Sequence, residues 1–323
     1  MASQLVALPE VERLSPACIR ILGGNPGKFT LQGTNTYLIG TGKERLLIDT
    51  AEGVPAWADA LERTLAEEKA TLSAALITHW HPDHVGGIGQ VRKLAPGVTI
   101  YQSQLESGRL GAAPGEEILD IVEGQAFYVE GTTLRAVHTP GHTTDHMAFV
   151  LEEEGSLFAG DNVLGQGTAV FEDLAVYLQS LARMRALYSE KRGAAAGTPN
   201  RLYPGHGPVV EDGVAKITEY IEHRQQREDQ VVRLLRSPDK AAAVAAANSG
   251  ASSPPASSSG AADGKFPSSW TSMELVEVVY ADVRRDLYPA AERGLIQILQ
   301  KLEDEGKVIE DGRKWTLRER SPL

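Results

Sequence analysis

Residues 79–84 read His79-Trp80-His81-Pro82-Asp83-His84, and no other stretch restricts the fold so tightly. Four side chains able to hold a metal fall within six residues, directly behind the apolar run Leu72-Ser73-Ala74-Ala75-Leu76-Ile77. Such a run predicts a short buried strand, so the donors are expected on a loop at its carboxyl end. His79 and His81, two apart, can point the same way from an extended loop. Asp83 and His84 can turn toward a second point nearby. Imidazole and carboxylate suit zinc and neighbouring transition metals, and Gly86-Gly87 lets the backbone pass closely before the next helix. The cluster gains its meaning from donors supplied elsewhere in the chain.

Three later stretches supply them. In His138-Thr139-Pro140-Gly141-His142 the Pro-Gly pair forces a turn that presents His142 at a strand end. Leu157-Phe158-Ala159-Gly160-Asp161 is a strand ending on a carboxylate, and Leu202-Tyr203-Pro204-Gly205-His206 ends another on a histidine. Each donor follows an apolar run and stands beside glycine, which predicts that they meet at one edge of the sheets. Asp49 closes the strand Leu46-Leu47-Ile48 on the same side, suited equally to capping a loop or to holding a ligand histidine. His138, His146 and His223 lack that context and read as structural histidines. Tyr203 and Asn162 flank donors, where packing and turn roles suit them.

Seven donors therefore sort into two sets. His79, His81 and His142 make one open tetrahedral site; Asp83, His84 and His206 make a second; Asp161 can bridge both. Two metals about 3.5–4 Å apart can share a hydroxide and stabilise both the attacked and the departing atom. Zinc lowers the pKa of bound water to about 7, and Asp83 is placed to orient that hydroxide and pass a proton to the leaving group. The expected cofactor is two zinc ions, with manganese or iron as the alternatives.

Around these stretches strands and helices alternate. Short antiparallel strands are predicted over 18–50, an amphipathic helix over Pro55–Lys69 through Trp57, Leu61 and Leu65, and a helix from Ile88 to Leu94. Further strands follow over 126–150, then helices over Leu174–Tyr188 and Ile217–Leu235, the last with a solvated charged face. This alternation predicts a layered α/β domain over residues 1–236. Residues 237–267 turn rich in alanine, serine, glycine and proline, the composition of a flexible linker or insertion. Residues 268–323 predict helices over Ser272–Val283 and Ala290–Glu305, then a hairpin around Asp311-Gly312. That order describes a small winged-helix-like α+β module serving as a lid or packing element.

A net charge of −11 argues against a general nucleic-acid or anionic-membrane binder. The single cysteine, Cys18, rules out an intramolecular disulfide framework and fits a reducing compartment; it reads as a small buried apolar residue. No secretory signal pattern and no run of roughly 18 apolar residues is found, so a cytoplasmic protein without a membrane span is expected.

The order His-Xaa-His-Xaa-Asp-His, Pro-Gly-His, Gly-Asp and Pro-Gly-His-Gly resembles that of the metallo-β-lactamase superfamily over residues 18–235. Gly24-Asn25-Pro26-Gly27, Gln32-Gly33-Thr34-Asn35-Thr36-Tyr37-Leu38 and Gly160-Asp161-Asn162-Val163-Leu164-Gly165 look like its lactamase-beta-like branch, which has glyoxalase II character and a carboxyl-terminal winged helix. Within that branch the chain is most similar to fungal thioesterases that work with non-reducing polyketide synthases lacking their own releasing domain. The resemblance implies an αββα sandwich with a two-zinc site at one edge. It also implies hydrolysis of the thioester of an aromatic polyketide, such as atrochrysone carboxylate, held on the acyl-carrier-protein domain of the synthase. The rival readings are an endoribonuclease of the same branch and a non-catalytic metal-containing interaction module. The first needs phosphate-binding arginines or lysines near the metals, and the motif loops contain few. The complete donor set argues against the second. Ala51 departs from the family's Asp-Thr-Gly, a change that alters a turn but removes no ligand, and the serine-rich insertion is also unusual. A basic patch for the carrier protein is expected at Arg224, Arg227 or the final module.

Overall fold

Side chains of successive strand residues point to opposite faces, so a strand buried on both faces needs a partner layer on each side. The computed structural model describes residues 5–104, 117–190, 200–237, 240, 244, 269–281 and 283–318. They form two compact units, Met1–Tyr220 and Ile221–Leu323.

The first unit opens with seven strands paired in chain order: β1 (Val11–Ser15), β2 (Cys18–Leu22), β3 (Asn35–Ile39), β4 (Glu44–Ile48), β5 (Thr71–Leu76), β6 (Thr99–Gln102) and β7 (Ile118–Asp120). β1 to β4 pair antiparallel, and β4 to β7 pair parallel. Parallel neighbours need crossover connections. Helix α1 (Pro55–Glu68) supplies the first, and the single turn α2 (Pro82–Val85) with α3 (Ile88–Leu94) supplies the second. A five-stranded sheet follows from β8 (Ala126–Val129), β9 (Thr132–His138), β10 (Met147–Leu151), β11 (Ser156–Gly160) and β12 (Leu202–Pro204). It is antiparallel except where β11 and β12 run parallel across α4 (Leu174–Glu190).

Between the sheets, Cys18, Tyr37, Ile39 and Leu76 meet Phe127, Leu134, Met147, Phe149 and Phe158. The other face of the first sheet packs Ile21, Leu38, Leu47 and Ile77 against Trp57, Leu61 and Leu65 of α1 and Val91 of α3. Pro55 opens α1, where its fixed φ is already helical. On α4, Tyr177 and Ser180 donate to Asn162 O and Pro140 O, loops at the end of the second sheet. The layers thus run helix, sheet, sheet, helix. β4 and β5, and likewise β11 and β12, release their chains at the same edge, where loops of a parallel sheet gather. Two backbone bonds stitch that edge across the sheets, Met147 N to Thr78 O and Asn35 N to Gly205 O, both at 2.7 Å.

In the second unit, residues 221–236 of helix α5 (Gly213–Arg236) accompany helices Ser272–Val279 and Tyr288–Asp304 and a hairpin of β13 (Val308–Asp311) and β14 (Lys314–Leu317). Gly312 and Arg313 turn the hairpin with φ of 54° and 70°, the two positive values a type I′ turn requires. Thr271 and Glu274 form a capping box at the first helix, which ends at Val279, four residues before the predicted stop. The buried Glu228 accepts from Lys301 at 2.7 Å and Lys307 at 3.4 Å. Arg227 donates to Val279 O and Gln230 and lies 4.9 Å from the Tyr280 ring centre. That side chain, one of the positions expected in a docking patch, thus also braces the end of the first helix. The expected linker at 237–267 lies, apart from residues 237, 240 and 244, outside the described residues. Among the described residues no helix is long and apolar enough to cross a membrane.

Candidate metal centre

Asp49 sits one residue past β4 with φ 59°, a left-handed conformation that aspartate tolerates better than most residues. Its Oδ1 accepts the Thr78 N–H at 2.8 Å. Its Oδ2 accepts the Thr78 hydroxyl at 2.9 Å and His84 Nδ1 at 2.8 Å. With its only proton given to Asp49, Thr78 Oγ1 accepts the Nδ1–H of His79 at 2.9 Å. Both histidines are thereby held in the tautomer that leaves Nε2 free as a donor atom. Of the two roles the sequence left open for Asp49, holding ligand-type histidines is the observed one. The α2 turn then does what an extended loop would not: it rotates Asp83 and His84 away from the line of His79 and His81.

The remaining donors are fixed in a similar manner. Gly141, at φ 129°, lets its loop run against α4, where an added Cβ would strike Tyr177. His142 then gives Nδ1–H to Val170 O at 2.8 Å, freeing Nε2. Asn35 clamps the last donor loop, its side-chain amide donating to Pro204 O at 2.9 Å and Gly207 O at 2.8 Å. His206 Nδ1 faces Gly33 O at 3.4 Å. Asp161 gives its N–H to His146 Nε2 at 3.2 Å, and a Cβ at Gly205 would collide with Asp161 Oδ1.

The result is two facing groups of donor atoms. His79 Nε2, His81 Nδ1 and His142 Nε2 lie 3.0, 3.1 and 3.3 Å from one another. Three nitrogen lone pairs this close repel unless a cation stands among them, and ligands about 2.0–2.1 Å from a tetrahedral ion are about 3.3 Å apart. Asp83 Oδ2 lies 3.3 Å from His84 Nε2 and 3.2 Å from His206 Nε2. Asp161 reaches both groups: Oδ1 is 3.5 Å from His84 Nε2, and Oδ2 is 3.2 Å from His206 and 3.8 Å from His142. His84 Nε2 and Asp161 Oδ1 are buried without a hydrogen-bond partner. Buried polar atoms are otherwise nearly always paired, so these two orphans point to a cation as the missing partner. The residues present fit metal ions.

The two groups differ electrostatically. Burial, then the positive charges His84 and His142 would carry, hold His79 well below the usual histidine range. Burial and His142 push His81 down to about 4. Both are therefore neutral ligand-type imidazoles at pH 7. Burial alone would raise Asp83 and Asp161, but His84 and His206 outweigh it and keep both carboxyls ionised. For His206 burial works downward, yet Asp161 and Asp83 prevail and lift it to about 9. Burial likewise works downward on His84, which Asp49, Asp161 and Asp83 raise well above its ordinary value. His79 and His81 thus offer the first seat neutral nitrogen, while the second draws positive charge.

All seven predicted donors converge here, in the groups His79, His81, His142, Asp161 and Asp83, His84, His206. His138 stays out of both, its Nε2 at 2.9 Å from Thr144 O. Tyr203 stacks on Phe158 in the core between the sheets, and Asn162 donates to Thr139 O as a turn brace. His223 belongs to the second unit. Three residues do more than the sequence indicated. His146 supports Asp161, Thr78 orients His79, and Thr34 donates to Asp83 at 3.2 Å. A hydroxyl directly before a ligand-type histidine is the one signal that could have singled out Thr78.

Residues 29–208 match the model of the metallo-beta-lactamase superfamily, and residues 271–315 match the beta-lactamase associated winged helix domain. The chain is 47% identical over 234 residues to a protein of Aspergillus chevalieri named atrochrysone carboxyl ACP thioesterase, covering 72% of this chain and 70% of that protein. It is 40% identical over 322 residues to one of the same name, dmxR1, from a Cryptosporiopsis species, covering 96% and 88%. A lactamase-like protein, adaB, of Aspergillus niger is 41% identical over 318 residues, covering 97% of this chain and 90% of the relative. Among solved structures, a beta-lactamase domain protein from Burkholderia ambifaria superposes with a TM-score of 0.70 at 18% identity, covering 98% of this chain and 96% of that one. A metallo-beta-lactamase family protein from Thermus thermophilus does so with 0.64 at 24%, covering 95% and 100%.

Proposed function

Because this chain belongs to the metallo-β-lactamase superfamily, we propose that it is a metal-dependent hydrolase releasing an aromatic polyketide from its thioester on an acyl-carrier protein. The observation that carries the reading is the convergence of seven donors with two orphaned buried atoms among them. The names of relatives at 40–47% identity supply the substrate class. We assign His79, His81 and His142 to one zinc ion, Asp83, His84 and His206 to a second, and Asp161 to both. The carrier protein is the corresponding domain of a non-reducing polyketide synthase, and the enzyme acts in the cytoplasm. Its plan is a catalytic domain over 1–236, a linker or insertion over 237–267 and a winged-helix-like module over 268–323.

When bound, the two cations supply water acidic enough to attack at neutral pH and a Lewis acid for the thioester carbonyl. The rest falls to the chain. Asp49, Thr78 and Val170 keep three imidazoles in the ligand tautomer. Asp83, with 21% of its side chain exposed, takes the proton of the attacking water and returns it to the departing sulfur. Phe29 and Val170 are 71% and 61% exposed, on loops whose carbonyls face His206 and His142. Apolar groups left in water beside polar donors suit an aromatic acyl group. The test is incubation of metal-replete protein with a carrier protein loaded with an aromatic polyketide, followed by mass spectrometry. Free acid is expected; an acyl-carrier that stays intact overturns the assignment.

A further inference from the structure

The loop from Gly23 to Thr34 approaches the second group of donors, and the sequence assigned it no task there. Thr34 is fully buried and Asn25 is 9% exposed. Asn25 Oδ1 accepts the Thr34 backbone N–H at 2.9 Å, and Asn25 Nδ2 donates to Thr34 Oγ1 at 3.1 Å. The first bond fixes which end of the amide is oxygen, so the nitrogen must be the end that meets the hydroxyl. Glycines at 23 and 33 make room, since a Cβ at either would press on Asn25 Oδ1 at 2.7 and 3.2 Å.

A threonine hydroxyl has a single proton. Because Asn25 donates to Oγ1, that proton is free to go only outward, and the acceptor there is Asp83 Oδ2 at 3.2 Å. The same Oδ2 faces His84 Nε2 at 3.3 Å and His206 Nε2 at 3.2 Å. Thr34 is the hydrogen-bond donor to this oxygen, and the two histidine nitrogens face it as fellow ligand atoms. We propose that Thr34 is a positioning residue: aimed by Asn25, it occupies one lone pair of Asp83 Oδ2 and turns the other toward the second cation seat. Oδ1 is thereby left free to handle the proton of the reaction. The inference rests on the metal-centre reading and adds to it a specific cause for the pose of Asp83.

The test compares Thr34→Val, which keeps the branched shape without the proton, with Thr34→Ser, which keeps the proton. Metal-free protein is titrated with Zn(II) against a chromophoric chelator, giving the affinity of each equivalent, and kcat and KM are measured on a thioester. Loss of a partner that orients a ligand weakens metal affinity by about 10–100-fold. Thr34→Val is expected to show that loss in one equivalent only, the other staying as tight as in wild type, with kcat lowered and KM unchanged, and Thr34→Ser to restore both. Should Thr34→Val not fold, Thr34→Ala replaces it, with far-UV circular dichroism of each metal-free variant as the control. If wild type takes two equivalents and the hydroxyl-free variant binds both as tightly, the role of Thr34 is overturned and the metal centre stands. If wild type takes up no zinc, both readings fall.

Discussion

Asp49 accepts three hydrogen bonds with two oxygens, more than an amide of the same shape can receive. Asp49→Asn puts an NH2 group where one acceptor stood, against either Thr78 or His84. We expect a fall of about 10–100-fold in zinc affinity, read as lost zinc content after dialysis, with the folded spectrum retained. Ala51 raises a different question, since its φ is 52° in a family where glycine is usual. The left-handed backbone costs an L-residue about 1–2 kcal/mol. Against this stand a buried methyl worth about 0.8 kcal/mol and the extra unfolded-state freedom of glycine, about 0.4–1 kcal/mol. These terms nearly cancel, so Ala51→Gly should leave urea-unfolding stability within about 1 kcal/mol of wild type. At this scale the sequence was readable where a donor stands beside glycine after an apolar run, as at His142 and His206. It was silent for His146, whose task depends on the backbone N–H of Asp161, and for Asp49, because a capping carboxylate and a histidine-holding one look alike in one dimension.

Elements with several turns or several alternations were found from their pattern: α1 ends one residue before the predicted position and α3 falls on its predicted span. Those overlooked were the short ones. β1 reads Val-Glu-Arg-Leu-Ser and is bonded on one side only, β7 has three residues, and α2 is a single turn. None displays an apolar run or a clear period of its own, and each exists because a neighbour pairs with it or a proline starts it. In the second unit, the end of helix Tyr288–Asp304 and the turn that follows it are tied by the ions of Lys301, Glu305 and Lys307. Burial works upward on Glu305, but its bonds to Lys301 and Lys307 lower its pKa. Its contribution is present above the ordinary glutamate range and lost as pH falls through the depressed value. The bond to Glu305 raises Lys307 against the downward pull of burial, so that contribution is lost as pH rises through the elevated value. Stability plotted against pH should therefore decline at both ends, and Glu305→Gln should flatten the acid limb; denaturant melts across the pH range check this.

For the molecule as a whole, the alternation of strands and helices predicted a layered α/β domain, the αββα order came with the family resemblance, and the winged helix came from two helices and an Asp-Gly hairpin. Pairing was readable within a hairpin such as that at Asp311-Gly312, but the partners of strands distant in sequence were not, because register there depends on contacts between residues far apart in the chain. The stitching of the two sheets at Thr78 and Met147, and at Asn35 and Gly205, has a consequence for motion. Ligands on both sides of that seam would act as a clasp, so the sandwich should breathe less when zinc is bound. Amide hydrogen exchange at Met147 and Asn35 should slow on adding zinc and quicken with a chelator, while Tyr37 and Phe149, deep between the sheets, change little. Slow opening at a seam is also a route by which ions leave, so the lifetime of the loaded protein would be set by how often its two halves part.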